Sequence, residues 1–97
     1  MENKYKIQEI HKSELFGIIV EAGCGGVIAN ELYQIDGSSN TILFSEQPYS
    51  KEIQREKGYL PEGSKSISTD FIYNTTKKLE EKHPQPNFII TATLIFG

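Results

Sequence analysis

Leu15-Phe16-Gly17-Ile18-Ile19-Val20-Glu21-Ala22-Gly23-Cys24-Gly25-Gly26-Val27-Ile28 changes character twice within one short stretch, and that change decides the fold. The run from Leu15 to Val20 is continuously apolar, rich in β-branched residues and bounded by turn signals, as expected of a central, parallel strand covered on both faces. Glu21 to Gly26 is a turn containing glycine at 23, 25 and 26, and glycine lets a backbone reverse sharply and approach a ligand closely. From Gly25 onward Ile28, Leu32 and Ile35 recur at helical spacing, with Asn30, Glu31 and Gln34 on the opposite side. Strand, glycine turn and helix lie back to back, and the helix start presents free N–H groups and a positive dipole end that suit an anion.

The rest of the chain extends the same pattern. Residues 4 to 11 fit a short helix with Ile7, Ile10 and His11 on one side. Asp36-Gly37-Ser38-Ser39-Asn40 is turn chemistry, and Thr41 to Ser45 is a second strand closed by Pro48. Residues 50 to 57 allow one or two helical turns. A longer helix starts at Ser68 or Thr69 and runs to about Lys82, with Phe71, Ile72, Thr75 and Leu79 on its apolar side and Asp70 in its first turn. His83-Pro84-Gln85-Pro86-Asn87 stops it. Phe88 to Phe96 is the most strand-like segment, expected beside Leu15 to Val20 at the centre of the sheet, with the helices starting near Gly26 and Ser68 packed on it.

Composition narrows the function classes. A chain of 97 residues with 37% apolar content reads as a single domain, residues 1–97, that buries only about 60 to 65% of its unfolded surface. Net charge is −3, and the basic residues are interleaved with acids, which argues against a nucleic-acid surface. One cysteine allows no internal disulfide, and His11 and His83 have no metal-ligand spacing. The first twenty residues carry Lys4, Lys6, Lys12, Glu2, Glu9 and Glu14, too charged for a signal peptide or a membrane span. The expectation is a cytoplasmic protein with no metal and no cofactor.

Three landmarks in order resemble the CinA C-terminal domain family, whose members include nicotinamide mononucleotide amidohydrolases. The family turn Glu-Ser-Cys-Thr-Gly-Gly is matched by Glu21-Ala22-Gly23-Cys24-Gly25-Gly26. The family's Gly-Ser-Ser, nine residues and Tyr-Ser are matched by Gly37-Ser38-Ser39, nine residues and Tyr49-Ser50. Ile67-Ser68 resembles the family's Val-Ser, and Ala92 to Gly97 its Val-Thr-Gly-Ile-Ala-Gly. The resemblance covers residue 15 to the end. It implies a three-layer α/β/α sandwich with a mixed, mainly parallel sheet, incomplete at the C-terminus because family members are half as long again. It implies in turn a homo-oligomer or a second chain completing the fold and covering Phe88 to Phe96.

For the site, the resemblance implies a serine nucleophile assisted by a tyrosine and a lysine. Those positions are Ala22, Tyr49 and Gln54. Alanine has no nucleophilic atom, and glutamine neither accepts a proton near neutral pH nor carries a charge. The resemblance therefore implies a catalytically impaired amidase-like domain, a pseudoenzyme. Cys24 is either a relocated thiol nucleophile, its pKa lowered at a helix start, or a small filler under the turn. Gly25 and Gly26 are candidates for a nucleotide or phosphate contact, joined by the hydroxyls of Ser38 and Ser39 and by Thr93. Against this stand a plain strand-to-helix connection, a cap and turn, and a strand threonine. Tyr49 is either a retained site residue or a half-buried ring. Three functions remain open: a ligand-binding or structural remnant, an active amidohydrolase using Cys24 or a partner's residues, and a subunit-interaction module.

Overall fold

The computed structural model describes residues 2–64 and 69–93. Its framework is a three-stranded sheet in the order β2-β1-β3, with β1 at Gly17–Ala22, β2 at Ile42–Glu46 and β3 at Phe88–Thr93. Both pairings among the described residues are parallel, in keeping with the mainly parallel sheet expected. Every residue of β1 is buried, so the uninterrupted apolar run has the role it predicts, a strand with helices on both sides.

Strict alternation along β1 sorts the core into two halves. Ile18, Val20 and Ala22 point to one face, where they pack with Tyr59, Leu60, Phe71 and Leu79. Ile19 points to the other and packs with Ala29 and Ile42, flanked by Ile28, Leu32 and Phe88. The first face is covered by α4 (Thr69–Lys82) and the Tyr59-Leu60 turn. The second is covered by α2 (Val27–Tyr33). The three layers of the expected sandwich are therefore present.

α1 (Glu2–Lys12) buries Ile7 and His11. The imidazole of His11 ties three elements together, because Nε2 donates to the Leu32 carbonyl at 3.0 Å and Nδ1 lies 2.6 Å from the Thr41 hydroxyl. α3 (Lys51–Glu56) is capped by Ser50, whose Oγ accepts from the Ile53 N–H at 3.2 Å. α4 buries Phe71, Thr75 and Leu79. Ile72, expected on the same face, is exposed, since it follows Phe71 by one residue and so points about 100° away around the helix. The proposed cap at Ser68, the Ile67-Ser68 match and the strand residues Leu94 to Phe96 lie outside the described residues.

β3 is adjacent to β1 but not fully covered. Its residues are half-buried and Ile90 is exposed, and among the described residues no strand pairs with its outer edge. No helix among the described residues is long and apolar enough to cross a membrane.

Candidate functional site at the carboxyl ends of the strands

The strand order reverses direction at β1, and in open α/β sheets the ligand crevice opens beyond the carboxyl end of the strand where that happens. Three segments meet there: the glycine turn after β1, residues 47–50 after β2, and Thr93, which pairs with Ala22 at the end of β3. Gly25 and Gly26 both have positive φ, 69° and 73°, a region that side-chain-bearing residues rarely enter. A shallow crevice of about 240 Å³ beside them is lined by Asn30, Tyr33, Ser45 and Gln47. The Tyr33 hydroxyl lies 3.2 Å from the Ser45 hydroxyl across it.

The start of α2 is already occupied. Gly26 is its N-cap and offers no side-chain acceptor. The carboxylate of Glu21 fills the gap, one oxygen accepting from the Ile28 N–H at 2.9 Å and the other from the Ala29 N–H at 3.2 Å. Glu21 is fully buried, so the chain supplies its own anion where a phosphate would otherwise find donors. Sequence reasoning passed over Glu21. The available signal was an acid ending a buried apolar run directly before the turn, since a buried charge requires partners.

Ser38 and Ser39 do not join this site. They form a single 3-10 turn just before β2, and Gly17 at the start of β1 bonds to Thr41 immediately after that turn. That is the amino end of the parallel strands, opposite the glycine turn. A helix between parallel strands must return the chain to the amino end, so the two serines cannot reach an anion at Gly25 and Gly26.

Ala22 faces the α4 side, enclosed by the apolar cluster that includes Tyr59, Leu60 and Phe71. Gln54 is also buried. Its backbone carbonyl accepts from the N–H groups of Tyr59 and Leu60, and its side-chain Nε2 donates to the carbonyls of Pro48 at 2.9 Å and Tyr49 at 3.2 Å. The amide thus holds the 48–49 loop to the turn that packs on Ala22. Tyr49 projects into solvent, 83% exposed, and is not the half-buried ring considered above.

Cys24 is half-buried, its Sγ 3.8 Å from the Ala22 carbonyl oxygen. Burial first, and the Glu21 carboxylate second, push its thiol pKa up. This is the opposite of the lowering expected of a helix-start cysteine, because burial first and the negative charge of Glu21 second disfavour the thiolate. Cys24 in the native protein should therefore be alkylated by iodoacetamide several-fold more slowly at pH 8 than in denaturant. Equal or faster native labelling would contradict this assignment. Among the described residues no cluster of metal-ligating side chains exists.

A parallel α/β domain whose strand order reverses at a buried central strand, with a glycine turn at that strand's carboxyl end, belongs to the doubly wound class. No protein-family model and no curated protein matches the chain. Among solved structures, its fold is similar to that of competence/damage inducible protein CihA from Agrobacterium tumefaciens, with a TM-score of 0.79 and 21% identity over 99% of this chain. The chain spans 61% of that protein's length. The CinA-like fold implied by the sequence landmarks is the fold the chain adopts.

Proposed function

We propose that this chain is a CinA-like domain that has lost amide hydrolysis and retains, at most, a small crevice for a neutral polar group. The observation that carries this reading is the pair Ala22 and Gln54. At the position of the family's serine stands a methyl group packed among apolar side chains. At the position of its lysine stands an amide committed to two backbone carbonyls. A reaction that needs a nucleophile and a proton acceptor finds neither in those places. The raised thiol of Cys24 speaks against a relocated nucleophile.

The ligand class follows from Glu21. Its carboxylate satisfies the N–H groups of Ile28 and Ala29 and repels a second anion at short range. The crevice beside Gly25 and Gly26, about 240 Å³, is smaller than the roughly 300–1,000 Å³ usual for ligand pockets. It suits a sugar- or carboxamide-sized group reading the Asn30, Tyr33, Ser45 and Gln47 side chains.

The test is paired. Purified protein should release no ammonia from nicotinamide mononucleotide above background, since losing nucleophile and base together removes several orders of magnitude in rate. Turnover abolished by Cys24→Ala would overturn the reading. In amide-resolved NMR, uncharged nicotinamide or ribose should shift the Gly25 and Gly26 resonances while inorganic phosphate leaves them unchanged. A phosphate response without a response to either neutral probe would return the site to the anion class.

A further inference from the structure

Lysines that are interleaved with acids along the chain are not interleaved in space. Lys78 and Lys82 stand four residues apart on α4 and so share one face, and the fold brings Lys57, the residue that ends α3, beside them. Together with Glu46, Tyr59 and His83 they line a cavity of about 120 Å³ between β2 and the end of α4. Glu46 is the one carboxylate in that lining and is already engaged, one oxygen accepting from the Lys57 ammonium at 2.7 Å and the other from the Tyr59 hydroxyl. Burial first, and the bond to Glu46 second, raise the Tyr59 pKa, so the phenol adds no negative charge. Lys78 and Lys82 have no ion-pair partner among the described residues. The head of Lys78 is laid against the loop that carries Lys57: a methyl group built on Gly58, whose φ is 78°, would lie 2.6 Å from Lys78 Cε and 3.0 Å from its Nζ.

We propose that this cavity binds a compact dianion of the phosphate type, free or as the end of a small monoester. Three ammonium groups against one carboxylate leave a lining charge of +2, in a chain whose net charge is −3. Like charges around one cavity repel. A doubly charged anion removes that cost and offers acceptors to the two uncommitted ammonium groups. The volume equals roughly four waters' share of the liquid, which holds one tetrahedral oxyanion and little more. The same three lysines also line an adjoining cleft of about 410 Å³, where Glu56 and Glu81 add negative charge. Those carboxylates oppose extension of the anion that way, so a polyphosphate gains nothing over a single phosphate. Lys82 lies in the last turn of α4, where part of its charge offsets the helix's negative end, and Lys78 therefore carries the larger share of the binding. The site uses no residue of the crevice at Gly25 and Gly26 and is independent of what that crevice binds.

Amide-resolved NMR of the full chain at fixed ionic strength is the test, and resonances away from the cleft report that each variant is folded. Inorganic phosphate should shift the Lys57, Gly58 and His83 resonances along a saturating curve, while chloride should not. Lys78→Met should weaken that binding by about tenfold, and Lys82→Met by less. Lys77→Met removes the same charge from a side chain that lies over the Tyr73 ring, outside the cavity, and should leave the binding unchanged. Saturation by phosphate alone supports a site for the free anion, and tighter saturation by glycerol phosphate supports one for a monoester. A response that grows without saturating overturns the proposal. So does an equal loss in Lys77→Met, which would make the effect one of net charge.

Discussion

Glu21→Ala is expected to destabilise the domain by about 3 kcal/mol, because it strips the partner from two buried N–H groups at once and each orphan costs roughly 1–3 kcal/mol. The carboxylate is fully buried, and it bonds the second and third residues of α2, Ile28 and Ala29. No side chain on the Gly26 cap can take its place. Against the roughly 5–15 kcal/mol that holds a domain of this size together, such a loss is large. Glu21→Gln keeps one acceptor and turns an amide donor toward the other N–H, so it should recover only part of the deficit. Urea unfolding followed by circular dichroism measures both. Wild-type stability in Glu21→Ala would show that water caps α2 equally well, and the account of Glu21 as a built-in anion would fail.

Gly17→Ala should cost a similar amount, about 3 kcal/mol, at the upper end for overpacking a tight contact. A methyl group built on Gly17 would lie 2.3 Å from the Phe88 carbonyl oxygen and 2.6 Å from its ring carbons. The ring can turn aside, but the carbonyl belongs to the β1–β3 ladder, where Gly17 and Phe88 are partners. The strands must separate at the point where Asn87 fastens them, its N–H donating to the Phe16 carbonyl and its side-chain oxygen accepting from the Phe16 N–H at 3.0 Å. Gly17 is a close-approach glycine, and its small size rather than its flexibility is what the sheet uses. A lowered thermal midpoint with unchanged native circular dichroism is the expected result. A variant as stable as the parent would mean that β3 is held more loosely than the register requires.

Beyond these two positions, much of the framework was legible in local sequence, for reasons that are themselves local. A continuous β-branched run has few options other than a covered strand, and Gly17–Ala22 is buried along its whole length. Helical spacing of Ile28 and Leu32 placed α2, and the proline pair at 84 and 86 ended α4 before β3. Those signals depend on neighbours within one or two turns. The ordered landmarks from Glu21 to Ser50 carried the fold family further than any one of them, and the three-dimensional likeness to CihA agrees with them.

What the chain could not reveal by itself was which residues share an end of the sheet and which share a face. Ser38 and Ser39 could be read as added donors to an anion at Gly25 and Gly26, because a hydroxyl's chemistry carries no information on where the fold places it. Only the parallel topology puts the serines at the strands' amino end and the glycines at their carboxyl end. Exposure of Tyr49, burial of Gln54 and the three-element tie through His11 likewise depend on contacts between residues far apart in sequence. Sequence by itself determined the strands, the glycine turn and the absence of the expected serine and lysine, since each is a matter of residue type and short-range order. Tertiary structure alone decided that two of the N–H donors in the first turn of α2, those of Ile28 and Ala29, are filled from within by Glu21, because a carboxylate seven residues upstream of Ile28 reaches its N–H only once the turn has folded the strand against the helix.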